Sequence, residues 1–138
     1  MLKSEERPIE EQKASKLILV VEDEERNMRL ITDVLQLAGY RILKAVDGEE
    51  AVTHLKAQNP DIVISDLCMP NFNGWRLGLW IAENKKDKKI PIIFLSSLLG
   101  EEGPPGQGEY GDYYMSKPFD TQRLINKIEE LLVIEKVE

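Results

Sequence analysis

The sequence predicts an α/β fold: a doubly wound parallel sheet of five strands with helices on both faces. Three observations carry this reading. Short apolar runs of strand length recur along the chain, beginning with Leu17-Ile18-Leu19-Val20-Val21, as expected for strands buried on both faces. Segments with helical spacing separate most of these runs, and such alternation builds a parallel sheet through right-handed crossovers. Three strand-like segments also end in charge: Glu22-Asp23-Glu24 after the first, Asp66 after the third and Lys117 after the fifth. Ligands of open α/β sheets bind outside the carboxyl ends of the strands, so these charges point to an ion site along one edge.

The elements follow in order. Residues 1–16 mix charges of both signs with little apolar pattern and read as a mobile N-terminal arm, ahead of one domain spanning 17–135. Residues 24–38 carry a helical stripe of Met28, Leu30, Ile31, Val34, Leu35, Leu37 and Ala38, stopped by Gly39. Residues 40–46 are a second strand, closed by Asp47-Gly48. Residues 49–57 form a short helix with Ala51, Val52 and Leu55 inward, ended before Asn59-Pro60. The third strand is 61–65. A helix over 74–84 then places Leu77, Trp80 and Ile81 at core spacing, and the lysine-rich 85–89 stretch is a solvated loop. Residues 90–95 are the fourth strand, 113–116 the fifth, and 121–134 a closing helix with Leu124, Ile125, Ile128, Leu131 and Leu132 on one side.

Between residues 98 and 111 the pattern fails. Five of the nine glycines and the Pro104-Pro105 pair fall there. A helix interior loses about 1 kcal/mol per Gly and about 3 per Pro relative to Ala, so the fourth crossover is expected to be a loop.

Composition narrows the function classes. At 138 residues the chain is long enough for a real core. Its net charge of −7 disfavours nucleic acid and anionic membrane as partners. The single cysteine, Cys68, excludes an intramolecular disulfide and a cysteine-rich metal site. No apolar run approaches the ~18 residues of a membrane span, and residues 1–16 lack a signal-peptide core. The expected location is cytoplasmic.

Taken alone, each charged motif has a plain structural reading. Acidic residues at 22–25 suit a helix N-terminus, Asp66 could be a helix cap, and Lys117-Pro118 a strand exit. Together, Glu22-Asp23-Glu24, Asp66 with Met69-Pro70 and Asn73-Gly74, Ser96, and Tyr114 with Lys117-Pro118-Phe119 resemble the receiver domain of two-component response regulators, over residues 16–135. The resemblance implies a flavodoxin-like sheet ordered 2-1-3-4-5. It also implies a phosphorylation switch: a histidine kinase or phosphotransfer protein delivers a phosphoryl group to Asp66, and binding of a downstream protein changes. Asp23, Asp66 and the Cys68 carbonyl oxygen would hold Mg²⁺ (or Mn²⁺), with Glu22 acting through water and Lys117 pairing with phosphoryl oxygens. Ser96 and Tyr114 would be the switch residues, Ser96 turning in and Tyr114 following.

The chemistry suits these residue types. A carboxylate can attack phosphorus and form an acyl phosphate, and phosphoryl transfer is catalysed mainly by positioning and charge neutralisation. Such a self-modifying switch is not an enzyme in the turnover sense. Two further expectations follow from the resemblance. Cys68 and Leu98, two residues beyond Asp66 and Ser96, are poor at orienting water, which implies slow loss of the phosphoryl group. The degraded fourth helix implies that the family's dimer through that face is absent. The length itself leaves no room for an output domain after residue 135, so the chain is expected to be either a stand-alone regulator or a piece cut from a longer one. Two other readings stand beside the leading one: a hydrolase turning over through Asp66, for which Leu67 and Cys68 supply no second acid, and a pseudo-receiver that binds partners without phosphorylation. His54 and Cys68 read as surface decoration and space-filler, Trp80 as core, and Trp75 as an exposed contact near the site.

Overall fold

All five residues of β1 (Leu17–Val21) are buried, because alternate side chains feed two separate cores: Ile18 and Val20 on one face, Leu19 and Val21 on the other. The computed structural model describes residues 8–67, 74–96, 113–117 and 120–132. β1, β2 (Arg41–Ala45), β3 (Ile62–Asp66), β4 (Ile92–Ser96) and β5 (Tyr113–Ser116) form a parallel sheet ordered β2-β1-β3-β4-β5. This is the flavodoxin-like doubly wound arrangement. β3 and β4 are buried throughout, as β1 is, whereas the edge strand β2 is buried only at Ala45.

Helices α2 (Glu25–Leu37) and α5 (Thr121–Leu131) cover the first face, while α3 (Gly48–Ala57) and α4 (Gly74–Asn84) cover the second. The stripe of α2 is narrower than its composition suggests. Met28, Ile31 and Leu35 are buried, but Leu30 and Leu37 are 49% and 89% exposed, since at 3.6 residues per turn they fall on the opposite side. Leu35 and Gln36 carbonyls accept hydrogen bonds from Tyr40 and Gly39, and Gly39 has φ 103°; this terminating geometry requires a left-handed residue. Asp47 and Asp120 cap α3 and α5, accepting from Glu50 N at 2.9 Å and Gln122 N at 2.8 Å. At the amino-terminal end of the sheet, Asp61 Oδ2 accepts from Leu17 N at 2.8 Å, tying the entry of β3 to that of β1.

The expected arm 1–16 contains a short helix, α1 (Ile9–Ala14); residues 1–7 lie outside the described residues. Gln12 is buried, Lys13 Nζ lies 3.3 Å from Glu129 Oε2 of α5 and 5.5 Å from the centroid of the Tyr40 ring. Arg41 donates to the carbonyls of Ala14 and Ser15. Because polar and cationic groups fasten this helix, apolar periodicity leaves no trace of it. The expected loop over 98–111 falls outside the described residues. Among the described residues, no helix is long and apolar enough to cross a membrane.

Candidate functional site

Strand register aligns the functional residues. Val21 pairs with Ser65, Asp66 with Leu95, and Ser96 with Ser116. Glu22, Asp66, Ser96 and Lys117 therefore emerge in a row at the carboxyl edge, at or one residue beyond the last paired positions. Backbone bonds hold the row in place: Glu22 N donates to Ala45 O, Leu67 N to Leu95 O, and Lys117 N to Ser96 O, all at 3.0–3.1 Å. β1 and β3 are neighbours, although the chain visits the β2 edge between them. The reversal of strand order there opens the crevice.

Lys117 Nζ bridges two carboxylates, 2.9 Å from Glu22 Oε1 and 3.2 Å from Asp66 Oδ2. Glu22 is 1% exposed, Asp66 is 9% exposed, and Asp23 lies at the surface. Burial pushes the Glu22 carboxyl above its ordinary range; Asp66 adds to this, while the Lys117 ammonium and the Glu24 N–H, at 3.1 Å, oppose it. Burial is also the largest single influence on Lys117 and acts to lower it. The hydrogen bonds and charges of Glu22 and Asp66 together outweigh that, so its pKa is raised.

Carboxylate oxygens of Glu22, Asp23 and Asp66 lie within 4.8 Å of one another. Three carboxylates facing one ammonium leave a surplus of negative charge. The donors are all hard oxygens, which suits Mg²⁺ rather than a thiolate- or imidazole-seeking metal. The residues fit a magnesium-dependent phosphoaspartate site.

Ser96 is buried at the end of β4. Tyr114, on β5, is half-buried, and its ring stacks on Phe94 with centroids 5.7 Å apart and planes 20° apart. Trp75 differs from expectation. It is half-buried, its ring centroid 5.2 Å from Phe94 and 5.6 Å from Tyr114, so the indole is a packing partner of Tyr114 rather than an exposed contact. Trp80 is likewise only partly buried, packed at the margin of the second core. Gly74 proves structurally demanding: a Cβ there would meet Asp66 O at 2.8 Å and Leu67 Cα and Phe94 Cε1 at 3.0 Å. Its N–H donates to Leu67 O at 2.8 Å. The Asn73-Gly74 pair in the sequence signalled this position, but its spatial reason appears only with the close approach. Cys68, Leu98 and Pro118 lie outside the described residues. His54 makes a 2.9 Å contact from Nε2 to Lys44 O, and Lys85 Nζ donates to Asn59.

With this geometry established, similarity to known proteins is informative. A family model described as the response regulator receiver domain matches residues 18–129. The polar-differentiation response regulator DivK of Brucella ovis is 29% identical over 120 residues, covering 86% of this chain and 97% of DivK. Chemotaxis response regulator CheY4 of Vibrio cholerae superposes with TM-score 0.77 at 25% identity, over 84% of this chain and 98% of that one. Response regulator TrrA of Thermotoga maritima, solved in complex with Mg²⁺–BeF, gives TM-score 0.75 at 34% identity, with coverage of 84% and 98%. The match spans both faces of the sheet and every strand that lends a residue to the acidic edge, and the chain belongs to the response regulator receiver domain family.

Proposed function

We propose that Asp66 accepts a phosphoryl group from the phosphohistidine of a histidine kinase or phosphotransfer protein, and that the resulting acyl phosphate switches binding of a downstream protein. A carboxylate oxygen of Asp66 attacks phosphorus, the P–N bond to the donor imidazole breaks, and the imidazole leaves with the bonding pair and takes up a proton. The observation that carries this reading is the Lys117 bridge between Glu22 and Asp66 beside the surface carboxylate of Asp23.

Each residue has a role in that transfer. Lys117 is a compact positive charge already placed against an Asp66 oxygen, so it can follow the phosphoryl oxygens as they arrive. Glu22, nearly sealed from solvent, holds the ammonium at the edge. Mg²⁺, or Mn²⁺ in its place, would be held by Asp23, Asp66 and the Cys68 carbonyl, with Glu22 through water, and when bound it supplies positive charge to the phosphoryl oxygens. The magnesium–beryllofluoride complex of TrrA supports this assignment by analogy. Ser96, at the end of the neighbouring strand, donates its hydroxyl to a phosphoryl oxygen once the group is attached. Tyr114 is the second half of the switch. The net charge of −7 supports a protein partner rather than nucleic acid.

Incubation with acetyl phosphate and Mg²⁺, followed by intact-mass measurement, tests this. One phosphoryl adduct is expected in the parent protein and none in Asp66→Ala. No adduct in the parent would remove the proposal and leave a binding module that works without phosphorylation. Sustained release of phosphate without an adduct would mark a hydrolase instead.

A further inference from the structure

We propose that Trp75 is a positioning residue for the Tyr114 switch, forming one wall of the seat in which the tyrosine ring lies and tying that ring to the start of α4. The inference deepens the phosphorylation reading and rests on it.

Three rings from three elements meet. Phe94 of β4 is fully buried and forms the floor. Tyr114 of β5 lies nearly parallel to it, and Trp75 of α4 is tilted 47° to Phe94 and 49° to Tyr114. Aromatic pairs in such tilted or offset arrangements each bias a conformational equilibrium by about two- to tenfold. Trp75 is not simply part of the helix's inward stripe. Gly74, Leu77, Gly78 and Ile81 are the buried positions of α4, and Trp75 flanks that stripe, turned toward β5. Moving Tyr114 thus means breaking or remaking a contact with the second residue of α4.

The residue before it, Gly74, is packed directly against the acceptor's backbone. Gly74 N donates to Leu67 O at 2.8 Å, and the Gly74 Cα leaves no room for a methyl group against Asp66 O, Leu67 Cα and Phe94 Cε1. A shift of the backbone at Asp66–Leu67 when the acyl phosphate forms therefore passes through Gly74 to the Trp75 indole, and from there to the Tyr114 ring. The path runs on the β3–α4 side and is separate from the Ser96 hydroxyl at the end of β4. Close packing favours discrete arrangements over gradual drift, as a two-state element needs.

The test uses the whole chain with Trp80→Phe, which leaves Trp75 as the single tryptophan. Beryllofluoride with Mg²⁺ serves as the phosphoryl mimic, and its attachment is followed independently by the fluorine resonance of the bound adduct. Trp75 emission is expected to change with the same concentration dependence as adduct formation. In parallel, fluorotyrosine-labelled protein, with the Tyr114 resonance assigned through Tyr114→Phe, reports the switch ring. Its shift on adduct formation is expected to persist in Trp75→Phe and to be lost in Trp75→Leu while the adduct still forms. An unchanged Trp75 emission in the presence of adduct, or a Tyr114 shift in Trp75→Leu equal to that of the parent, would overturn the inference and leave the phosphorylation reading standing. Failure of the adduct itself would remove both.

Discussion

Lys117 lies closer to Glu22 than to Asp66, 2.9 Å against 3.2 Å. The nearer carboxylate is also the one more completely withdrawn from solvent. Glu22 is thus the closer partner of the ammonium, and under the proposed transfer Asp66 is the one whose contact with it would change.

The withdrawn carboxylate burdens the fold. Glu22 has a raised pKa, so the folded state binds its proton more tightly than the unfolded chain does. Stability from this group is full below its ordinary 4.5 and falls as pH rises through the higher folded value. Glu22→Gln is expected to raise stability at neutral pH in the absence of divalent cations by about 1 kcal/mol, a few degrees in Tm. The gain should vanish in acid. Thermal melts in chelator from about pH 4 to about pH 8 check it; a loss of stability at neutral pH would show that the Lys117 pairing outweighs the burial cost.

Divalent cations should reverse this balance. A ligand that binds only the folded state stabilises by about 1.4 kcal/mol at ten times its dissociation constant. Added Mg²⁺ is expected to raise Tm in a saturable way, and Asp23→Asn to flatten that response, because Asp23 closes the carboxylate cluster. Differential scanning fluorimetry of the two proteins over a magnesium series provides the comparison.

Gly74→Ala should damage both fold and site. The new methyl group meets two backbone atoms at 2.8 and 3.0 Å as well as the Phe94 ring, so a local shift is unavoidable. About 1–3 kcal/mol of destabilisation is expected, together with slower phosphorylation from acetyl phosphate. Retention of parental rates and denaturant midpoint would mean that the β3–α4 junction yields more easily than its packing implies.

Tyr40 offers the opposite case. It is 4% exposed, its hydroxyl has no hydrogen-bond partner among the described residues, and burial followed by the Glu129 charge keeps it firmly protonated. Tyr40→Phe removes an unsatisfied polar group and is expected to be neutral or stabilising by up to about 1 kcal/mol. Urea denaturation decides: destabilisation of more than that amount would reveal a bond the hydroxyl makes.

Much of the fold was legible because buried strands leave unbroken apolar runs. Leu17–Val21 and Tyr113–Ser116 have the extents read from sequence, as does the helix Gly74–Asn84. The ends at Ala57 and Thr121, the latter capped by Asp120, also match, and the remaining ends differ by one to three residues, as at the start of α3, where the Asp47 cap decides the boundary. The meeting of Glu22, Asp23, Asp66 and Lys117 was readable from charges at strand ends. Two features were not. Helix α1 is held by Lys13, Gln12 and Arg41, residue types that periodicity assigns to solvent. The inward packing of Trp75 depends on rings supplied by β4 and β5, and adjacency across elements leaves no local pattern.

The seat of α1 sets the first described residues at one pole of the domain. It closes the end of the sheet opposite Asp66, with β1 between them, a separation of about 17 Å at 3.3 Å per residue. Pro8 and α1 therefore lie at the far pole from the edge that carries Glu22, Asp66 and Lys117. What α1 touches from there is the carboxyl-terminal half of α5, through the Lys13–Glu129 clasp, and not the acidic edge itself.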